Sequence, residues 1–106
     1  MALTREFRAK VLARAKRDPA FAKALLDEAI TLFLHGQPEP AKAVLRDLVN
    51  GTVGFEALAA EIDTPAKSLH RMLSASGNPT MSNLSAVFAA IARALKVEVH
   101  TRISPA

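Results

Sequence analysis

Apolar residues recur at helical spacing along most of the chain, and this pattern predicts helices nearly throughout. Leu3, Phe7 and Val11 are spaced every four residues and predict an amphipathic helix over about residues 4 to 16. Asp18-Pro19 is typical of a helix start, and His35-Gly36 is typical of a helix end. The second predicted helix therefore lies between these signals, with an apolar face of Phe21, Leu25, Ala29, Leu32 and Phe33.

Two further helices follow from the same signals. Pro38 and Pro40 open a third helix that ends at Asn50-Gly51, with an apolar face of Ala41, Val44, Leu45, Leu48 and Val49. Nearer the C-terminus, Thr80 or Ser82 can cap a last helix that carries Leu84, Val87, Phe88, Ile91 and Leu95.

The segment from Lys96 to Ile103 alternates apolar and polar residues, which predicts a short β-strand. A lone strand has no partner in a helical chain, because its backbone donors and acceptors stay open. We expect it to pair with the same strand of a second copy. The alternatives are that it extends onto another protein or stays loosely ordered.

Residues 54–73 contain two short helical patterns that meet at a tight turn. The first pattern turns Leu58, Ala59 and Ile62 inward. Thr64 is predicted to cap the second helix, with Pro65 at its first position. The second pattern turns Leu69, Met72 and Leu73 inward and leaves Ala66, Lys67, His70, Arg71 and then Ser74 on the other arc. This is the pattern of a helix-turn-helix, whose second helix enters the DNA major groove.

Residues 54 to 97 resemble the lambda-repressor-like, Cro/cI-type helix-turn-helix family. The resemblance rests on Leu58-Ala59, the turn at Asp63-Thr64, Ser68-Leu69, and Pro79-Thr80 before an apolar helix. The run from Lys67 to Ser74 together with Gly77-Asn-Pro-Thr80 is most similar to the branch that contains the antidote (antitoxin) proteins of addiction modules.

The resemblance implies that the chain binds operator DNA as a dimer, with Thr64, Ala66, Lys67, Ser68 and Arg71 at or near the groove. The chain departs from the family at two positions. The turn residue that is usually Gly is Asp63, which can enter the left-handed region. The polar residue that often touches phosphate at the start of the first helix is Phe55. Residues 1–50 also differ from the usual antidote N-terminus.

The charge is distributed in blocks, although the net charge is only +4. Residues 1–17 carry a net +5, residues 18–63 a net −5, and residues 64–106 a net +4. The second helix of the helix-turn-helix therefore opens a basic block, as attraction to phosphates requires. The simpler alternative is that these cations are solvated side chains on helix surfaces without a ligand. For the basic first helix this is the favoured interpretation.

Individual side chains have different expected roles. Lys67 and Arg71 lie one helical turn apart, and Arg71 is the first choice for reading a base edge, because its guanidinium matches two acceptors on guanine. The alternative for Arg71 is an ion pair with a nearby carboxylate. His70 either contacts DNA or is solvated. Ser74 and Asn78 either donate to phosphates or cap the loop.

Length and composition limit the other function classes. With 106 residues, we expect a single all-α domain of about six helices. In it, residues 1–50 form a helical segment that packs against residues 51–106, the helix-turn-helix segment with its C-terminal strand or tail.

The chain has no cysteine, which excludes disulfides and thiolate metal sites. This is compatible with a reducing cytoplasm, where we expect the protein. The sequence shows neither a signal peptide nor a membrane segment.

Enzymatic chemistry finds little support. The three histidines, His35, His70 and His100, lie on separate predicted elements, without the spacing of a metal site. The sequence contains neither a Gly-rich phosphate loop nor a nucleophile elbow, so we expect no catalysis and no cofactor.

The favoured hypothesis is a dimeric, sequence-specific transcription regulator that places residues 65–74 in the major groove of double-stranded DNA. The alternative is an antitoxin-type protein that neutralises a toxin partner, with autoregulatory or lost DNA binding.

Overall fold

The computed structural model describes residues 5–106, apart from the side chain of Arg8. Within this range the helices are α1 (Arg5–Arg17), α2 (Pro19–Leu34), α3 (Pro38–Gly51), α4 (Phe55–Glu61), α5 (Ala66–Met72) and α6 (Met81–Leu95). This order confirms the predicted all-α fold with a central pair of short helices. The predicted contribution of Leu3 to the first helix lies outside the described residues.

The helix ends follow the local signals of the sequence. Asp18 caps α2 as predicted, because its carboxylate accepts from the backbone N–H groups of Ala20 and Phe21 at 3.1 and 3.3 Å. At the other end of α2, Gly36 has φ 75° and the N–H of Gln37 donates to the carbonyl oxygen of Leu32 at 2.9 Å. This is the Schellman arrangement, which confirms the predicted left-handed stop.

The helices pack as two groups around a shared interior. α2 lies along α3, and α1 packs against both. α4 and α5 form the second group, and α6 packs against α4 and α2. The α2–α6 contact includes Phe33 and Phe88, whose rings meet edge to face with centroids 5.5 Å apart.

The hydrophobic core is a single cluster that takes side chains from α2 through α6. Its largest fully buried members are Leu45, Leu48, Val49, Leu58, Leu69, Leu73, Val87 and Ile91. The core leucines of α3 therefore pack in the same interior as those of α4 and α5. α3 thus helps to support the helix-turn-helix.

The predicted C-terminal strand is not formed in a single chain, since residues 97–106 have no regular secondary structure. Val97 still packs against the core, and its N–H donates to the carbonyl oxygen of Ala92 at the end of α6. The next residues pass beside α2 and border a groove of about 540 Å³ with it. Ile103 is 96% exposed. The physical reason is that the described chain offers no second strand to complete a ladder.

Candidate nucleic-acid interface

The turn between α4 and α5 is tight and fully hydrogen-bonded. The N–H of Thr64 donates to the carbonyl oxygen of Ala59 at 2.9 Å, and the N–H of Asp63 donates to that of Ala60 at 3.2 Å. Asp63 adopts φ 52°, as predicted for the family's usual glycine position. These two bonds form a Schellman motif, which ends α4 and redirects the chain sharply into α5.

The start of α5 differs from the sequence prediction. Thr64 does not cap the helix: its hydroxyl donates back to the carbonyl oxygen of Ile62 at 3.2 Å. The cap position is occupied by Pro65, whose φ of −59° and ψ of 139° are still extended, while its carbonyl oxygen accepts from the N–H of Leu69. The helix therefore begins at Ala66, one residue later than predicted, and Thr64 stands one position before the cap.

The outer side of α5 presents two free cations. Lys67 and Arg71 are both exposed, and neither forms an ion pair with any residue that the structure describes. The alternative expectation for Arg71, an ion pair with a nearby carboxylate, is therefore not met among the described residues. On the inner side, Leu69 and Leu73 are fully buried, and the half-buried Ala66 also packs against the core. Ala66 thus lies toward the interior of the molecule and is less available to a ligand than Lys67.

His70 is stacked on Phe55. The two rings are 4.0 Å apart between centroids and tilted by only 10°. Phe55 is 6% exposed, so the imidazole covers a ring that would otherwise face water. The contact joins the start of α4 to the last turn of α5. Phe55 is therefore a packing partner of α5, and His70 has a structural contact in addition to its exposed edge.

A surface depression of about 570 Å³ lies beside α5, toward the start of α6. Four of the side chains predicted to meet DNA, Thr64, Ser68, Arg71 and Asn78, border it. The same border also includes Met72, Ser76, Gly77, Pro79, Thr80 and Asn83. Asn83 was missed by the sequence analysis, although its place in the first turn of α6, just after Thr80, is visible in the sequence. Lys67 and His70 lie outside the depression.

Two hydroxyl groups at this surface already have local partners. The hydroxyl of Ser74 donates to the carbonyl oxygen of Arg71 at 2.8 Å, which fits the alternative of loop capping. The hydroxyl of Thr80 accepts from the N–H of Asn83 at 3.1 Å and caps α6, as predicted. Asn78 is exposed and has no such bond among the described residues.

Two cations of α3 reach the C-terminal end of α5 and the loop after it. The ammonium group of Lys42 donates to the carbonyl oxygens of Ala75 and Gly77, and the guanidinium of Arg46 donates to that of Leu73. Lys42 is only 3% exposed. Sequence analysis missed both contacts, because a charged residue beside the apolar positions of a helix normally indicates its solvated edge.

The loop that Lys42 holds lies very close to the backbone of α5. At Gly77 a Cβ atom would lie 2.1 Å from the carbonyl oxygen of Arg71 and 2.6 Å from that of Met72. Only glycine permits this approach, because every other side chain begins with a Cβ. Gly77, which stands in the Gly-Asn-Pro-Thr element of the family resemblance, is therefore required by close packing.

Other kinds of site gain no support from the described part of the chain. No three of its His, Asp or Glu side chains are grouped so that they could hold a metal ion. Arg14 of the basic α1 lies 4.4 Å over the ring of Phe21 and pairs with Asp18 at 3.5 Å. Its contacts therefore join α1 to the start of α2. None of the described helices is both long and apolar enough to cross a membrane.

Comparisons with known proteins identify no relative of this chain. No family model matches the chain, and neither a curated protein nor a solved structure matches it. The resemblance to the lambda-repressor-like family therefore stays a prediction from the residues of 54–97.

Proposed function

We propose that this protein is a sequence-specific DNA-binding regulator that inserts α5 into the major groove. The observation that carries the proposal is the outer side of α5, where Lys67 and Arg71 stand exposed without an ion pair among the described residues. Free cations one turn apart suit a phosphate and a base edge, and the buried Leu69 and Leu73 brace the helix from behind.

The depression beside α5 supplies the polar groups that such an interface needs. Ser68 and Arg71 border it from α5, and Asn78 and Thr80 border it from the segment that leads into α6. Phosphate contacts from hydroxyl and amide groups set the orientation of a protein on DNA, whereas arginine reads the sequence. We assign orientation to Ser68 and Asn78 and base reading to Arg71.

The proposed regulator acts as a dimer. Two copies of α5 spaced by one DNA turn would contact successive major grooves and select a palindromic site. Residues 97–103 are the proposed contact between the copies, since their alternating pattern has no strand partner within the described chain. The exposed Val99 and Ile103 offer apolar side chains for such pairing.

The test is fluorescence anisotropy of the purified protein on DNA from its own upstream region and on a shuffled duplex, across a salt series. We expect a preference for the upstream DNA of about a thousandfold or more and a steep dependence on salt. Weak and equal binding to both duplexes would contradict the proposal. That result would favour the antitoxin-type alternative, in which a protein partner is the main ligand.

A further inference from the structure

The short recognition helix depends on partners outside itself. α5 has seven residues, and a helix of that length is unstable without tertiary contacts. Its last carbonyl groups have no partner within the helix and carry the negative end of the helix dipole, so cations are favoured there. α3 supplies two cations near this end, one turn apart. Arg46 donates to the carbonyl oxygen of Leu73, directly after α5, and Lys42 donates to carbonyl oxygens of the loop that follows.

The burial of Lys42 indicates a specific role. A lysine that is 3% exposed is uncommon, because removing its charge from water is unfavourable unless strong acceptors replace the water. Its acceptors here are the carbonyl oxygens of Ala75 and Gly77, and it forms no ion pair with the described residues. Its hydrogen bonds therefore serve the loop between α5 and α6 and no other described element.

The loop must be held against α5 to keep its place. Its glycine, Gly77, has no room for a Cβ atom, which would lie 2.1 Å from the carbonyl oxygen of Arg71 and 2.6 Å from that of Met72. Lys42 places a positive charge at this point, on the carbonyl oxygen of Gly77 itself. The next residue is Asn78, which borders the same depression as Arg71.

We propose that Lys42 and Arg46 are positioning residues that hold the segment 73–80, and with it Asn78, in the arrangement that binds DNA. This inference rests on the proposed function and gives the N-terminal segment a part in it. α3 belongs to residues 1–50, and its cations set the distance between α5 and the start of α6. The helix-turn-helix is thus completed by a helix that precedes it in the chain.

The test uses Lys42→Met, with Lys23→Met as the matched control, since Lys23 is an exposed lysine of α2. Amide hydrogen exchange of the free protein is followed at Ser74 and Gly77, whose N–H groups donate to the carbonyl oxygens of Arg71 and Ser74. Lys42→Met should speed exchange at these amides and leave the amides of α2 protected. The control should change neither.

The same variants are then titrated with the upstream duplex over the salt series. Lys42→Met should weaken binding roughly tenfold or more, the expected effect of losing charged hydrogen bonds that order the loop. The salt slope should stay at the wild-type value, because Lys42 is buried and neutralises no phosphate. Lys42→Arg should restore most of the affinity, because a guanidinium can still donate to both carbonyl groups. Arg46→Met is a second variant of the same kind and serves if Lys42→Met does not fold.

Three results would overturn the inference. The first is wild-type exchange at Ser74 and Gly77 in both Lys42→Met and Arg46→Met. The second is a uniform rise of exchange in every helix, which would mark a general loss of stability. The third is a salt slope lowered by about one in Lys42→Met, which would mark a direct phosphate contact. Failure of the wild type to prefer its upstream DNA would instead refute the proposed function, while exchange in the free protein separately reports whether the loop is held.

Discussion

Arg71 is the side chain on which sequence discrimination depends in the proposed function. Arg71→Ala should reduce the preference for the cognate duplex over a singly substituted one by about 1–3 kcal/mol, because a bidentate contact to a guanine edge is lost. Anisotropy titrations on the two duplexes measure this difference. An unchanged preference would show that another residue reads the base.

Lys67→Ala is the matched comparison, since both side chains are exposed cations of α5. It should weaken binding to all duplexes alike and lower the salt slope by about one, as expected for a phosphate contact. Arg93→Ala serves as a further control because Arg93 is paired with Glu61 at 3.0 Å on the surface between α6 and α4. This variant should leave the base preference unchanged.

Asp63 determines how α4 ends. Its φ of 52° lies in the left-handed region, which a β-branched residue avoids. Asp63→Val should therefore lower the free energy of unfolding by about 1–2 kcal/mol, whereas Asp63→Gly should be equal to or more stable than the wild type. Urea denaturation of the three proteins gives the comparison. If Asp63→Val were as stable as the wild type, the turn would not need this conformation.

Sequence analysis located the exposed cations of α5 but could not identify every contact near them. Lys67 and Arg71 were placed outward by helical spacing alone, and the structure agrees. The stacking of His70 on Phe55 was not predicted, because the two residues come together only when α4 and α5 cross. Lys42 was missed for the same reason, since its acceptors lie more than thirty residues further along the chain.

Thr80 is the N-cap residue of α6, and substitution can test this assignment. The sequence left Thr80 and Ser82 as alternatives, and the structure selects Thr80, whose hydroxyl accepts from the N–H of Asn83. Thr80→Ala should lower the free energy of unfolding by about 1 kcal/mol, while Ser82→Ala should have little effect. Thermal or urea unfolding of both variants decides between them. Equal losses in the two variants would contradict the assignment of the cap.

Helix boundaries were predictable where a local signal is self-contained. The starts of α2 and α6 and the end of α2 depend on side chains or glycines within three or four residues, so the sequence was sufficient. The start of α5 was predicted one residue too early. Threonine is a common N-cap residue, but the hydroxyl of Thr64 donates to the carbonyl oxygen of Ile62 and does not cap α5. Pro65 itself keeps an extended ψ of 139°, so the first helical residue is Ala66 and the cap position falls on the proline.

The association of two copies is the main prediction for the complete molecule. If residues 97–103 pair between copies, Val99→Pro should weaken the dimer, because proline cannot donate to a strand ladder. Ser104→Pro is the matched control, since it lies just beyond the predicted strand. Sedimentation equilibrium of the free protein measures the effect. A wild type that stays monomeric, or a Val99→Pro variant that dimerises normally, would contradict strand pairing.

The composition of the core explains why the N-terminal segment and the helix-turn-helix act together. Leu45 and Leu48 of α3 are fully buried in the same cluster as Leu58 and Leu69 of the helix-turn-helix. Deleting one of these side chains would open a cavity shared by both parts, so its effect would spread to α5. This common interior is also what brings Lys42 of α3 to the loop that follows α5.

Local signals in the sequence were enough to establish the all-α fold, most helix limits and the outward direction of Lys67 and Arg71. These features depend on spacing, caps and backbone preferences within a few residues. The folded chain alone brought His70 onto Phe55, Lys42 onto the carbonyl groups beside α5, and Asn78 to the same depression as Arg71. Such contacts depend on how helices far apart in the chain pack, and a local pattern carries no information about distances across the core.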